Sequence, residues 1–307
     1  MTRSVLTRRA VGGLTLAMAA TIMGGPLVAQ DRLQVAAVNY PLAYFAERLA
    51  GDMADVLFNV PADVDPSFWR PGIADITAIQ GADLIVVNGA GFADWTARTT
   101  LPRSRTVLTS AGFDDAFIAT ETITHSHGEG GQHSHTGVAN YLWLDFAQAR
   151  LQAEAIAAAL TRRAPDASAE IAANLQALST DLDGLATRAA EIGAAADGVP
   201  MIASHPRYQY LARAYGFDIS ALDWDPRGPV SEDQWAELEA MRETLEARVF
   251  IWEAEPDAAA LERIEDLGMV NAVFPPLSNR PEQGDFLSVM AGSLDRLDQA
   301  VQVASGS

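Results

Sequence analysis

Cysteine and lysine are both missing from the 307 residues. Without cysteine there is no disulfide framework, no thiolate metal site and no sulfur to carry a lipid at a processing point. Without lysine, Schiff-base chemistry and the phosphate-binding P-loop are excluded, and all 21 basic residues are arginine. Positive charge is itself scarce: 40 acidic residues set the formal net charge at −19. Such an acidic body argues against nucleic acid and anionic lipid as partners and favours cations or a basic protein surface. Catalytic signatures are also lacking. There is no HExxH or GxSxG, and GAGFAD (89–94) lacks the third glycine of a dinucleotide fingerprint, so it reads as a loop after a strand. The chain is therefore expected to bind rather than to catalyse.

What is present begins with an address. Arg3, Arg8 and Arg9 lead into an uncharged run over 10–23, then Gly24, Gly25, Pro26 and a small residue at Ala29. This is the pattern of a secretory signal peptide over 1–29, too short in its apolar part to anchor in a bilayer. The Arg8–Arg9 pair points to the twin-arginine route. Cleavage near Ala29 removes three arginines and no acids, leaving 18 basic against 40 acidic residues and a formal charge of −22. The expected product is a periplasmic protein without a lipid anchor.

The rest is organised around 169–192. Ile171, Leu175, Leu178, Leu182, Leu185, Ala189 and Ile192 recur at alternating steps of four and three, one apolar stripe along a long helix. Before it, LQVAAVN (33–39), VLFNV (56–60), ADLIVVN (82–88) and TVL (106–108) read as strands alternating with helices over 41–50 and 73–80. After it, VPMIAS (199–204), RVFIWE (248–253) and NAVF (271–274) read as strands, with helices over 208–215, 231–247, 257–267 and 285–303. Alternation of this kind gives parallel sheets flanked by helices. The expected architecture is α/β, with an N-terminal lobe over 30–165, a connecting helix over 166–193 and a C-terminal lobe over 194–307. Ligands of open parallel sheets bind beyond the carboxyl ends of the strands, so residues just past each strand are the candidates.

Four of the five histidines fall in HSHGEGGQHSH (125–135), at His125, His127, His133 and His135. Two His-x-His pairs in a glycine-rich polar loop suit a borderline cation such as zinc, copper or nickel, or else form a solvated loop. The fifth, His205, follows the strand VPMIAS at the mouth of the second lobe, where a cleft ligand belongs; a lone histidine is also often structural.

Several spaced motifs resemble the periplasmic metal-binding proteins of zinc and manganese ABC importers: VNYPLAYFAERLAGD (38–52), DPSFWRP (65–71), ADLIVVNGAGFADW (82–95), WLD (143–145), ASHPRYQYLARAYGFDI (203–219) and GDFLSVM (284–290). The resemblance implies two α/β lobes joined by one rigid helix, small lobe movements, and a cation, zinc first and manganese or another divalent metal next, held between the lobes. It also implies an inner-membrane ABC permease as partner, a periplasmic metallochaperone as a further one, and a monomer. Of the four ligand positions it implies, His205 is kept, while Ser67, Tyr141 and Asn279 stand where the family places two histidines and a carboxylate. Three readings stay open. A rearranged set holds the metal, drawn from His205, Glu253, Glu255, Asp223, Asp225 and the loop histidines; or the cleft takes a non-metal ligand against Tyr40, Trp69, Tyr141, Trp143 and Trp224; or the protein is an accessory metal carrier acting through 125–135.

Overall fold

The computed structural model of the protein describes residues 1–2, 32–120, 124–126, 132–134, 137–226 and 228–306. Met1–Asp31 and Arg32–Ser307 form separate units. The export signal expected at 1–29 belongs to the first and, past Thr2, lies outside the described residues.

In the second unit β1 (Leu33–Ala37) is followed two residues on by Asn39, which caps α1 (Tyr40–Ala50). The Asn39 side-chain oxygen accepts the Leu42 N–H at 3.0 Å, Pro41 occupies the first turn, and Gly51 at φ 53° stops the helix. β2 (Ala54–Leu57), α2 (Ile73–Gly81), β3 (Leu84–Val87), α3 (Trp95–Arg98) and β4 (Thr106–Leu108) follow. All four strands are parallel, in the order β2-β1-β3-β4.

The histidine segment departs from expectation. β5 (Thr124–Ser126) and β6 (Gln132–Ser134) pair antiparallel with His125 opposite His133, so part of the expected loop is a hairpin. Local pairing across a short glycine-bearing connection needs no apolar pattern, which is why periodicity did not reveal it.

A 3₁₀ turn over Leu142–Leu144 leads into α4 (Phe146–Arg163), whose first turn is capped by Asp145. α5 (Ser168–Ala195) is the expected long helix, extended slightly at both ends. The second lobe is β7 (Met201–Ala203), α6 (Gln209–Tyr215), β8 (Ile219–Ala221), α7 (Glu232–Leu245), β9 (Val249–Trp252), α8 (Ala258–Asp266), β10 (Val270–Val273) and α9 (Phe286–Ser305). Its sheet is also parallel, ordered β10-β9-β7-β8. α7 starts on a capping box formed by Ser231 and Gln234.

The two sheets share one topology. In each the second strand lies to one side of the first and the third to the other, so each has a switch point between its first and third strands. Residues just past β1, β3, β7 and β9 therefore stand at crevices, and these are Asn39, Asn88, His205 and Glu253.

α5 packs on α1 and α4 of the first lobe and on α6 and α9 of the second. Ile171, Leu178, Leu182, Leu185, Ala189 and Ile192 of its stripe are buried, each leucine contributing about 1.5–3 kcal/mol by burial. Near its end a Cβ on Gly193 would lie 1.8 Å from the Tyr215 carbonyl oxygen, so only glycine lets α5 and α6 approach this closely. Among the described residues no helix is long and apolar enough to cross a membrane.

Candidate functional site

The carboxyl ends of the first sheet are held by buried amides. Asn88 Oδ1 accepts from Asn39 Nδ2 at 3.2 Å and from Gln152 Nε2 at 3.1 Å, and Asn88 Nδ2 donates to the Asn140 carbonyl at 3.0 Å. This network ties β1 and β3 to α4 and to the segment carrying Tyr141. The loop after β3 is GAGFAD, as expected; Gly89 has φ 87° and a Cβ there would meet Ser110 Oγ at 2.1 Å.

Between the lobes stands a charged residue that motif reading passed over. Arg207, four residues past β7, is 4% exposed. Its Nη2 donates to Asp65 Oδ2 of the first lobe at 2.8 Å, and its Nε lies 3.5 Å from Glu253 Oε1 at the end of β9. The guanidinium carbon sits 4.6 Å from the centre of the Tyr141 ring and 5.9 Å from that of Phe68. Asp65 is the hub of this cluster. It also accepts from Ser67 N at 2.8 Å, from Ser67 Oγ at 2.6 Å and from the Tyr141 hydroxyl at 3.4 Å.

Burial works against the charge on Arg207, but the charges packed around it, Glu253 and Asp65 among them, outweigh burial, and the guanidinium holds its proton more tightly than usual. Burial pushes the Tyr141 phenol well above its ordinary range, with Asp65 and Glu253 adding and Arg207 opposing. The same burial, reinforced by Glu253, raises Tyr208. The cluster thus contains a fixed cation, two carboxylates and neutral phenols.

His205 is 1% exposed and is aimed by its backbone surroundings. Its Nδ1 lies 2.8 Å from the Trp224 carbonyl oxygen and 3.5 Å from Asp223 Oδ1. A carbonyl only accepts, so Nδ1 carries the hydrogen; in the neutral imidazole Nε2 then carries the lone pair, the tautomer commonly found in metal-binding imidazoles. Glu253 is positioned by its own N–H, which donates to Ser204 Oγ at 3.1 Å.

The remaining candidates are distributed. Glu255 and Asp225 line a pocket of about 640 Å³ in the second lobe, walled also by Glu253, Trp224, Trp235 and Trp252. Asn279 serves the architecture: its amide donates to the Pro61 and Val64 carbonyls at 2.7 and 2.9 Å. Neighbouring bonds tie the same loop to the first lobe, with Tyr40 N donating to the Ser278 carbonyl at 2.9 Å, Trp143 Nε1 to that of Pro276 at 2.6 Å, and Arg280 pairing with Glu47 at 2.6 Å. Leu277 in this loop holds φ 59°, outside the usual range for a side chain of its size. His125 and His133 are hairpin partners, while His127 and His135 lie outside the described residues.

The aromatic residues do not form one wall. Tyr141 and Trp143 cluster with Phe92, Trp69 meets Trp95, and Trp224 packs with Trp235, Phe250 and Trp252 in the core of the second lobe. Among the described residues, no three His, Asp or Glu side chains are grouped so as to hold a metal ion. Asp65 and Arg207 both lie inside motifs visible in the sequence. The available signal was a charged residue in an otherwise apolar and aromatic run, PRYQYLA.

The family described as zinc-uptake complex component A, periplasmic, matches residues 35–300. The zinc-binding lipoprotein AdcA of Streptococcus pneumoniae serotype 4 is 26% identical over 283 residues, covering 88% of this chain and 56% of AdcA. The chain thus spans little more than half of that relative. The high-affinity zinc uptake system protein ZnuA of Bacillus subtilis is 25% identical over 293 residues, 90% of this chain and 89% of that protein. Among solved structures, the metal-dependent lipoprotein YcdH from Bacillus subtilis superimposes with a TM-score of 0.73 at 22% identity, over 88% of this chain and 99% of YcdH. FpvC from Pseudomonas aeruginosa in complex with Mn2+ gives 0.71 at 21% identity, over 89% and 99%. These likenesses establish the fold, and with the match over 35–300 the chain belongs to the zinc-uptake complex component A periplasmic family.

Proposed function

We propose that this protein is the exported substrate-binding component of an ABC importer for a divalent metal, zinc in the first place, which it captures and passes to an inner-membrane permease. Family membership across 35–300 is the observation that carries this reading. The relatives named above for zinc binding support zinc as cargo, and the structure in complex with Mn2+ supports a divalent class. Those relatives are named lipoproteins in part, whereas this sequence holds no cysteine for a thioether-linked lipid.

His205 is the imidazole we assign to the cargo, through Nε2; Asp65 and Glu253, the carboxylates held by Arg207, are not grouped with it as the structure stands and would join it only by leaving the guanidinium. Zinc accepts this mixture of nitrogen and oxygen ligands. Binding is expected to move the lobes little, because α5 packs on helices of both and the loop around Asn279 already bonds the second lobe to the first. A second reading is favoured by the hairpin: His125 opposite His133 supports a metal-collecting role for 125–135. Directly opposed residues of an antiparallel pair have Cα atoms only about 4.5–5.5 Å apart.

The test is zinc uptake by cells lacking the gene, in chelator-treated medium, complemented by wild type, by His205→Ala or by a chain without 125–135. Uptake restored by wild type and lost with His205→Ala supports delivery through the cleft. Loss only with the hairpin deletion supports the second reading, and growth and uptake that ignore the gene contradict both.

A further inference from the structure

We propose that Arg207 is an internal cation that occupies the interlobe carboxylates in place of cargo and so sets the affinity and selectivity of the cleft. This rests on the metal-binding reading above.

The geometry is that of a cation site already filled. The guanidinium joins a carboxylate of the first lobe, Asp65, to one of the second, Glu253, and lies over the ring of Tyr141. Ser67 and Tyr141, at two positions the family resemblance assigns to histidine ligands, are turned to the same purpose: both donate to Asp65. A positive side chain and a divalent ion repel at such range in a partly dehydrated site, so the two do not share these carboxylates.

The hold on Arg207 is also incomplete. It makes one 2.8 Å hydrogen bond to Asp65 instead of a two-pronged pair, the contact to Glu253 is long at 3.5 Å, and its Nε–H has no hydrogen-bond partner among the described residues. Bidentate guanidinium–carboxylate pairs are the strong ones. An arginine bound by one prong is a barrier a metal can displace at a cost, which lowers affinity. A divalent ion of sufficient affinity then takes Asp65 and Glu253 while the arginine swings away, and monovalent ions, with no charge advantage over the guanidinium, are rejected.

The experiment compares the mature chain with its Arg207→Ala variant, both with His125, His127, His133 and His135 changed to Asn so that only the cleft is read. Zinc affinity is measured by competition with a colorimetric chelator, and melting is followed with and without zinc. The variant should bind zinc at least about tenfold more tightly, melt lower than its parent without metal, and gain more from zinc than its parent does. Adding Asp65→Asn should abolish the gain in affinity. Equal or weaker zinc binding by a folded Arg207→Ala protein overturns the proposal while leaving the metal-binding reading intact. Absence of zinc and manganese binding by both the unmodified chain and the variant overturns that reading itself. Should Arg207→Ala fail to fold, Arg207→Gln, which keeps bulk and hydrogen-bonding capacity without charge, carries the same comparison.

Discussion

Replacing Asp65 with asparagine changes almost no volume but removes the charge from the hub of the interlobe cluster. In the native protein this carboxylate takes the 2.8 Å bond from Arg207, both bonds from Ser67 and the 3.4 Å contact from Tyr141. Oδ1 takes the bonds from Ser67 and Oδ2 those from Arg207 and Tyr141, so an asparagine keeps one accepting oxygen; with its amide nitrogen turned toward the guanidinium, the loss is that of a charge-assisted bond to a buried cation, about 1.5–3 kcal/mol. Asp65 keeps 24% of its side chain exposed, so solvent screening places the expected cost near the middle, about 2 kcal/mol. Removing the acceptor altogether in Asp65→Ala should cost more, about 3 kcal/mol, at the lower end for a broken buried pair. Equilibrium unfolding in urea, followed by tryptophan fluorescence in the presence of chelator, reads both variants, with an unchanged m-value confirming that only stability moved. The cycle with Arg207→Gln should then show coupling of roughly 1–2 kcal/mol. An Asp65→Asn midpoint within error of wild type, or strict additivity with Arg207→Gln, would refute the claim that these two residues hold each other.

Other expectations follow from the same geometry. Gly193→Ala forces α5 and α6 apart at Tyr215 and should destabilise by about 1–3 kcal/mol in the same assay; an unchanged midpoint would mean the close approach is not maintained in solution. Asn279→Asp places a carboxylate where the sequence resemblance implies one but removes both donors to Pro61 and Val64, so it should lose about 1–2 kcal/mol without improving zinc affinity; tighter zinc binding would contradict this assignment of Asn279. Burial, the largest cause in each case, raises the pKa of all six tyrosines, Tyr40 to about 12 with Asp285 and Glu47 adding and Arg280 opposing. Their folded values exceed the unfolded value near 10.0, so this stabilisation is complete below pH 10 and is lost as pH rises toward 12. Tyrosinate absorbance of the folded protein should therefore lag well behind that of the urea-unfolded chain at pH 10, and coincident titration curves would contradict the burial.

Most of the fold was legible because its signals are periodic. The stripe on α5 and the uninterrupted apolar strands announce a buried helix and buried parallel sheets without help from distant residues. α4 carried a comparable stripe in Phe146, Ala149, Ala153, Ile156 and Leu160, but small alanines blur it. β8 has three half-buried residues and no alternation, so only its pairing with β7 defines it. The site was less legible. Ser67, Tyr141 and Asn279 could be flagged as poor metal ligands from their chemistry, but what they bond to instead depends on Asp65 and on carbonyls far away in the chain. Arg207 was hidden for the same reason: an arginine beside a strand end is ordinary until Asp65, 142 positions earlier, is found against it. Glu253 and Glu255 looked equivalent in sequence; both line the second-lobe pocket, and Glu253, directly at the end of β9, also reaches Arg207.

The measurement that bears most directly on the central claim is a calorimetric zinc titration of the chelator-stripped protein without residues 1–29, beside His205→Ala and a chain lacking 125–135. The account predicts saturable zinc binding by wild type, a component lost with His205→Ala, and retention of that component when the hairpin is removed. Wild-type protein that takes up no zinc or manganese under these conditions would contradict it.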